Sequence, residues 1–356
     1  MNTYVFITEY LNEKIVDDMF KKRGNWKKIL YKDIKNNKKK LYNNNKNDII
    51  DYVYMDGLNA YRYKNLWTMD KKMFNMINFE KYQSVIDKFK LYLFMKKNYE
   101  DIYKKYMIEQ YEFDIYDIYP FKYKNLFENG KLWILKIVEG GSGKHIYVIH
   151  NYIEFVKKIK ELQKLDDNTM KKYPTFVLSE YINNPLTFNN KKFHIRMYYM
   201  FNPSNQKGYL HKYGCIYTAE KDYVQKNYNN KKIHDTHFGS TPADYYFPHE
   251  FINLYSKDVI LDIYEQLKEI FHYIKLLSKG ECYPESNKCY QIYGADIMIT
   301  DDFRVKLIEI NSRIGIATYD NKLLTGYLME GILETIIDPI FPPKNKQSKK
   351  NYFIEV

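Results

Sequence analysis

The chain has 356 residues, with 56 Lys and Arg against 44 Asp and Glu, a net charge of +12 and a pI near 9.1. That length suggests two or three domains and a core large enough to need no staples. No run of 18 apolar residues occurs, which excludes a transmembrane helix, and the opening MNTYVFITEY lacks the basic start and apolar core of a secretion signal.

Cys215, Cys282 and Cys289 are odd in number and lack zinc spacing, so a reducing, cytoplasmic setting without a membrane partner is expected. The 39 tyrosines, 21 phenylalanines and surplus of lysine have two readings. One is the codon bias of an AT-rich genome. The other is attraction to something acidic, such as a nucleotide phosphate, an acidic protein tail or nucleic acid. Nucleic acid is the weakest of these, because no helix-turn-helix or RNA-recognition pattern is present.

Taken in order, Tyr4 to Thr8 predicts a strand and Glu13 to Arg23 a helix, with Ile15, Val16, Met19 and Phe20 on one face. Gly24-Asn25 ends that helix. Lys35 to Asn47 is a low-complexity Lys/Asn loop, and Asp48 to Met55 a second strand. Val85 to Lys97 predicts a helix whose lysines form a solvated face, and Tyr119-Pro120 interrupts the pattern. Leu132 to His150 reads as strand, glycine-rich turn, strand. Gly140, Gly141 and Gly143 suit a phosphate-holding flap flanked by Lys136 and Lys144, although taken alone an ordinary hairpin turn is the better account of them. The loop is not a Walker A motif, because His145 follows Gly143-Lys144 where Ser or Thr is required.

Tyr152 to Leu162 is an amphipathic helix and Thr175 to Ile182 a buried-type strand. Phe193 to Phe201 alternates as a strand with His194 and Arg196 on one face. Gly208 to Tyr217 predicts one more strand. His234-Asp235-Thr236-His237 clusters polar residues but lacks further zinc ligands nearby. Asp258 to Leu277 is a long helix and Leu323 to Ile337 a closing one. Lys344 to Val356 is expected to be a charged, mobile tail.

The most informative stretch is QIYGADIMITDDFRVKLIEINSR, Gln291 to Arg313. It predicts a hairpin turning at Asp301-Asp302. Glu309 and Asn311, two apart on the second strand, share a face, and Asp296 on the first strand can approach them. Three oxygen donors on one sheet face suit Mg²⁺. The competing reading is a surface hairpin with a polar wet side. A carboxylate and a carboxamide inside an apolar strand favour a cation partner.

WILK with its glycine loop, SEYINNPL, KKFHIRMY, YGADIMI and LIEINS follow one another in an order that resembles the tubulin–tyrosine ligase family of ATP-grasp enzymes. FKKRGNWKKI and IIDPIFPP extend the resemblance over about residues 1–343 and favour a compact ligase. It implies an α/β (α+β) ATP-grasp fold. A small α/β domain over 1–80 precedes a central subdomain with the glycine loop over 81–185. A C-terminal subdomain with antiparallel strands follows over 186–343, then a basic flexible tail over 344–356. It also implies ATP and Mg²⁺ as cofactors. Asp296, Glu309 and Asn311 match the magnesium ligands. Lys136 and, less closely, Lys88 match lysines on the nucleotide. Ser179, Glu180, Tyr181 and Ile182 match the adenine hinge. Lys192 and His194 match a Lys and an Asp near ribose and phosphates, and Arg196 matches an arginine of the site.

The implied activity is a carboxylate–amine ligation through an acyl phosphate, joining a free amino acid to a protein acceptor such as tubulin. The chain departs from the family pattern at His194, where Asp is usual. It departs again at Tyr217, where an arginine binds the incoming amino acid's carboxylate, with Lys212 a candidate to compensate. Thr236 stands in place of an Asn, His145 in place of a glycine, and Ser179-Glu180 in place of Gln-Lys. A catalytically inactive, nucleotide-binding relative that docks on tubulin is the alternative.

Overall fold

Runs of β-branched and aromatic residues near both ends of the chain pair with each other rather than locally. The computed structural model describes residues 1–7, 13–30, 50–55, 74–76, 83–138, 146–165, 168, 172, 174–236, 245–278, 288–312, 314 and 322–356. Strand β1 (Asn2–Ile7), helix α1 (Glu13–Arg23) and strands β2 (Trp26–Lys28), β3 (Tyr52–Met55) and β4 (Phe74–Met76) open the chain. These four strands pair in parallel.

Helices α2 (Lys88–Asn98) and α3 (Glu100–Tyr106) follow. Asp87 caps α2 by accepting from the Phe89 and Lys90 amides. An antiparallel sheet comes next, built from β5 (Gln110–Asp114), β6 (Trp133–Ile137), β7 (Ile146–Ile149) and β8 (Thr175–Glu180) in the order β5-β8-β6-β7. Helix α4 (Tyr152–Gln163) buries Phe155, Ile159 and Leu162 against it, the spacing the sequence predicts.

The remaining strands are β9 (Thr187–Phe188), β10 (Lys191–Asn202), β11 (Lys207–His211), β12 (Gly214–Asp222), β13 (Tyr246–Phe247), β14 (Lys288–Ile299), β15 (Val305–Asn311) and β16 (Phe353–Glu355). Helices α5 (Lys257–Leu277) and α6 (Lys322–Ile332) complete the fold. β4 pairs with the start of β14, so the first strands and the last share one mixed sheet. Helices cover both of its faces. Ile260, Ile263, Leu267, Ile270, Phe271 and Ile274 of α5 fill one side together with α2 and α3. Val16 and Phe20 of α1 pack on the other with Leu324, Leu328 and Met329 of α6. Each such side chain contributes about 1.5–3 kcal/mol by leaving water.

Two expectations change and one strand is added. Gly208 to Tyr217 is two strands, β11 and β12, broken at Lys212-Tyr213. Residues 110–114 form β5, which the sequence reading passes over. The expected flexible tail of 344–356 carries β16, antiparallel to β11, with Lys207 paired to Glu355 at 2.8 Å. β11 has an open edge that the short Phe-Ile-Glu segment fills, and local propensity does not report such a partner. Cys289 is buried in the core, and Cys215 is a buried free thiol.

Candidate active site

β10 lies at the middle of the candidate site. Its odd-numbered residues Phe193, Ile195, Met197 and Tyr199 enter the core beneath α5. Its even-numbered residues, Lys192, His194 and Arg196 among them, face the opposite way, as alternation predicts. Arg196 lies across from Cys215 on β12 and from Asp296 on β14, and Asp296 lies across from Glu309 on β15. Four strands thus contribute Cys215, Arg196, Asp296 and Glu309 to one row.

β15 joins that row through a bulge. Asp296 pairs with Glu309 and Ile297 with Leu307, which leaves Ile308 as the extra residue. Val305, Leu307 and Ile310 all enter the core. Simple alternation would send Glu309 there with Leu307. The bulge instead turns Glu309 and Asn311 to the site, a known use of such irregularities. Gln266 of α5 steadies the hairpin: it accepts from the Val305 amide at 3.0 Å and donates to the Phe303 carbonyl at 2.9 Å.

Arg196 holds Asp296 with two hydrogen bonds of 2.7 Å, Nε to Oδ1 and Nη2 to Oδ2. Burial works against its charge, but Asp296 outweighs burial and raises the guanidinium's pKa. Asn311 Nδ2 donates to Asp296 Oδ2 at 3.3 Å and to Glu309 Oε1 at 3.1 Å. Gly294, across from Asn311, makes room: a Cβ there would stand 3.1 Å from Arg196 Cδ and 3.3 Å from the Ile314 carbonyl.

The two carboxylates and the carboxamide form a hard oxygen set of the kind Mg²⁺ takes. Asn311 now bridges the carboxylates with its nitrogen; turning the carboxamide over would offer its oxygen instead. The residues present therefore fit a divalent cation. Among the described residues, no cluster of three His, Cys, Asp or Glu is arranged for a metal. The third donor here is Asn. His237 of the weighed zinc cluster lies outside the described residues.

His194, Tyr217 and Thr236 are three of the positions that depart from the family pattern, and His194 touches both of the others. The His194 and Tyr217 rings stack at 4.8 Å and 2°. His194 Nδ1 lies 2.6 Å from Thr236 Oγ1, and its Nε2 lies 4.0 Å from Asp296 Oδ1. Arg196 places its guanidinium carbon 5.3 Å from the Tyr217 ring centre. Burial pushes the neighbouring Cys215 thiol up to about 12, so it is neutral.

On the nucleotide side, Lys192 is buried and its ammonium stands 3.9 Å from the Tyr181 ring centre. Burial lowers its pKa to about 7, opposed by Asp235. Tyr181 is held by the Leu132 carbonyl through its amide and by His234 Nδ1 through its hydroxyl at 2.9 Å. Ser179 is buried with no partner for Oγ among the described residues. Glu180 pairs with Lys131 at 2.9 Å, and Ile182 follows, half-buried. Lys136 stands on β6 opposite Ile146 and Val177. Gly140, Gly141, Gly143 and the side chain of Lys88 lie outside the described residues. Lys212 sits in the turn between β11 and β12, tied to Tyr352 through its amide and to the Tyr264 hydroxyl through its carbonyl. That position is outside the row of Cys215, Arg196, Asp296 and Glu309. The sequence reading passes over Gly294 and Cys215. A glycine inside a strand, two residues before a buried carboxylate, is the signal that finds the first.

The sequence pattern of the tubulin-tyrosine ligase family matches residues 68–240 and 247–349. A probable tubulin polyglutamylase of Caenorhabditis elegans is 25% identical over 201 residues, 52% of this chain and 46% of that protein. Tubulin glycylase 3C of Tetrahymena thermophila is 25% identical over 240 residues, 62% of this chain and 22% of its own. The chain thus spans less than half the length of these two relatives. Among solved structures, the C-terminal domain of a K. lactis ATP-grasp enzyme that interacts with an mRNA decapping enzyme superposes with a TM-score of 0.67 at 15% identity. That match covers 100% of this chain and 98% of the other, and the shared fold is ATP-grasp.

Proposed function

The chain belongs to the tubulin-tyrosine ligase family, and from that premise we propose an ATP- and Mg²⁺-dependent ligase that joins an amino acid to an acidic, tubulin-like protein acceptor. The relatives named as a tubulin polyglutamylase and a tubulin glycylase support the acceptor class. The observation that carries the reading is the meeting of Asp296, Glu309 and Asn311 beside Arg196 on one sheet face.

In the proposed reaction a carboxylate attacks the γ-phosphorus of ATP and ADP leaves. The amine then attacks the acyl carbon, inorganic phosphate leaves, and the amine gives up a proton. No side-chain nucleophile is required, consistent with a neutral Cys215. Asp296, Glu309 and Asn311 would hold Mg²⁺, which when bound neutralises charge on the phosphate oxygens. Lys192 gains a full charge beside phosphate, and Tyr181 supplies an apolar face under it. Arg196 orients Asp296 and offers its guanidinium to the oxygens on which charge develops. Tyr217 cannot form a bidentate pair with a carboxylate, so the added amino acid is selected differently from tyrosine.

Incubation with ATP, tubulin and a panel of labelled amino acids tests this. ATP-dependent incorporation of at least one amino acid is expected. Intact ATP binding without incorporation on any acceptor would overturn it in favour of a non-catalytic docking protein.

A further inference from the structure

The sheet of β5 to β8 has one face in the core and one toward the nucleotide side. Phe113, Leu135, Phe176 and Leu178 pack beneath α4. Alternation turns Gln110, Lys136 and Ser179 to the opposite face. There Gln110 of β5 lies directly across from Ser179 of β8, and Ser179 across from Ile134 of β6. Side chains of such cross-strand neighbours stand about 5 Å apart. Gln110 and Ser179 are 2% and 3% exposed, yet Gln110 Oε1 and Ser179 Oγ have no hydrogen-bond partner among the described residues. A buried polar atom without a partner is costly, and two on adjacent strands call for one explanation.

Donors near the start of β5 are spent elsewhere. Tyr92, Lys96 and Tyr103 bond the Glu109 carboxylate at 2.9, 2.9 and 2.8 Å. The same stretch borders both halves of the site. The Glu180 amide donates to the Glu109 carbonyl at 2.9 Å, and Met107 bridges Leu307 of β15, two residues before Glu309. The two orphan acceptors thus lie where β5, the hinge and β15 converge. Ser179 also stands where the resemblance expects a glutamine. The hinge has lost a carboxamide there, and Gln110 presents one from the neighbouring strand.

We propose, resting on the nucleotide-dependent ligase reading, that Gln110 is the residue that sets base specificity in this chain, reading the purine from β5 with Ser179 beside it. An exocyclic 6-amino group carries two hydrogens, and Gln110 Oε1 and Ser179 Oγ are two acceptors in need of one each. The Gln110 carboxamide meets the amino group and N7 together, the bidentate pairing that glutamine makes with adenine. A 6-oxo purine presents acceptors at both points. Turning the carboxamide over to meet O6 sets its own oxygen against N7, so the conflict moves without disappearing.

The test is isothermal titration of the full chain with ATP, inosine triphosphate and 7-deaza-ATP, in the wild type and in Q110M. The wild type is expected to favour ATP about tenfold over each analogue. Q110M is expected to bring all three within about threefold of one another, chiefly by weakening ATP. A carboxamide without internal partners adds nothing to the free fold, so the nucleotide-free urea midpoint of Q110M should be unchanged or raised. Equal affinity of the wild type for the three nucleotides overturns the proposal, whether or not the variant folds. So does a preference that Q110M leaves unmoved, or an equal loss of all three with a lowered nucleotide-free midpoint, the pattern of a purely structural glutamine. ATP-dependent ligation is scored separately. A working ligase with an unmoved preference sinks the role of Gln110 alone, whereas a wild type that binds none of the three sinks the ligase reading with it.

Discussion

Among the described residues, a buried Arg23 and a part-buried Arg196 both pair with carboxylates, and their surroundings separate a strut from a working site. Arg23, at the end of α1, bonds Asp338 through Nε at 2.7 Å and Nη2 at 2.9 Å, Glu330 at 3.0 Å, and the Met19 carbonyl at 3.3 Å. Burial opposes its charge, and the bonds to Asp338 and Glu330 raise its pKa nonetheless. It reaches both of its acids and joins α1 to residues more than 300 positions away. Among the described residues, the acid that Arg196 bonds is Asp296, and the Asn311 carboxamide bridges from there to Glu309. An ion pair that closes on itself holds elements together. One whose acid is shared with further oxygens on the same sheet face is arranged to exchange a partner.

The sharpest way to break that comparison is to remove each arginine. R23A is expected to cost about 3–5 kcal/mol, because it removes a buried guanidinium and leaves two part-buried acids uncompensated, and Mg²⁺ should not restore it. Urea unfolding measures this. R196Q should lose less, and millimolar Mg²⁺ should recover much of the loss. Equal, magnesium-independent losses would mean that Arg196 is also only a strut.

Glu309→Gln keeps the size and the Asn311 contact but removes a charge. Turnover is expected to fall by about 100-fold or more, with the unfolding midpoint nearly unmoved. Isothermal titration with Mn²⁺ should show weaker binding in the same variant. Unchanged turnover would take Glu309 out of the site.

The His194, Tyr217 and Thr236 cluster predicts strong non-additivity. H194D alone would break the bond to Thr236 and bring a second carboxylate near Asp296. Combined with Y217R and T236N, the same change should be tolerated, with a coupling of about 1–2 kcal/mol in stability or turnover. Additive losses would mean that the three positions act independently.

The smallest expected effect is a proton. Lys192, at about 7, is largely neutral at pH 8 in the free protein. Triphosphate binding favours its charged form, so up to about one proton should be taken up per nucleotide at pH 8 and much less at pH 6. Calorimetry in two buffers of different ionisation heat measures this, and K192M should abolish it. In the free protein the sign is also fixed. The lowered pKa makes charged Lys192 a cost below about 7, relieved as pH rises toward the ordinary lysine range.

Much of the candidate site was legible before any coordinates, because it depends on neighbours along the chain. Alternation alone placed His194 and Arg196 on one face of β10, while Lys192 came from the family resemblance. The spacing of Glu309 and Asn311 put them together, and the turn at Asp301-Asp302 brought Asp296 alongside. The apolar stripe of α5 and the breadth of α1 follow from helical periodicity in the same way. Local pattern is enough wherever the controlling interactions span two to four residues.

Other features needed the folded chain. The bulge at Ile308 decides that Glu309 leaves the core side on which Val305 and Leu307 sit, and alternation would have assigned it wrongly. The pairing of β16 with β11 and the closed ion pair of Arg23 both join segments far apart in sequence. Their stability comes from an open edge and part-buried acids supplied by a distant partner. Such groups leave no periodic trace in the segment that answers them, so only the tertiary structure could assign those partners.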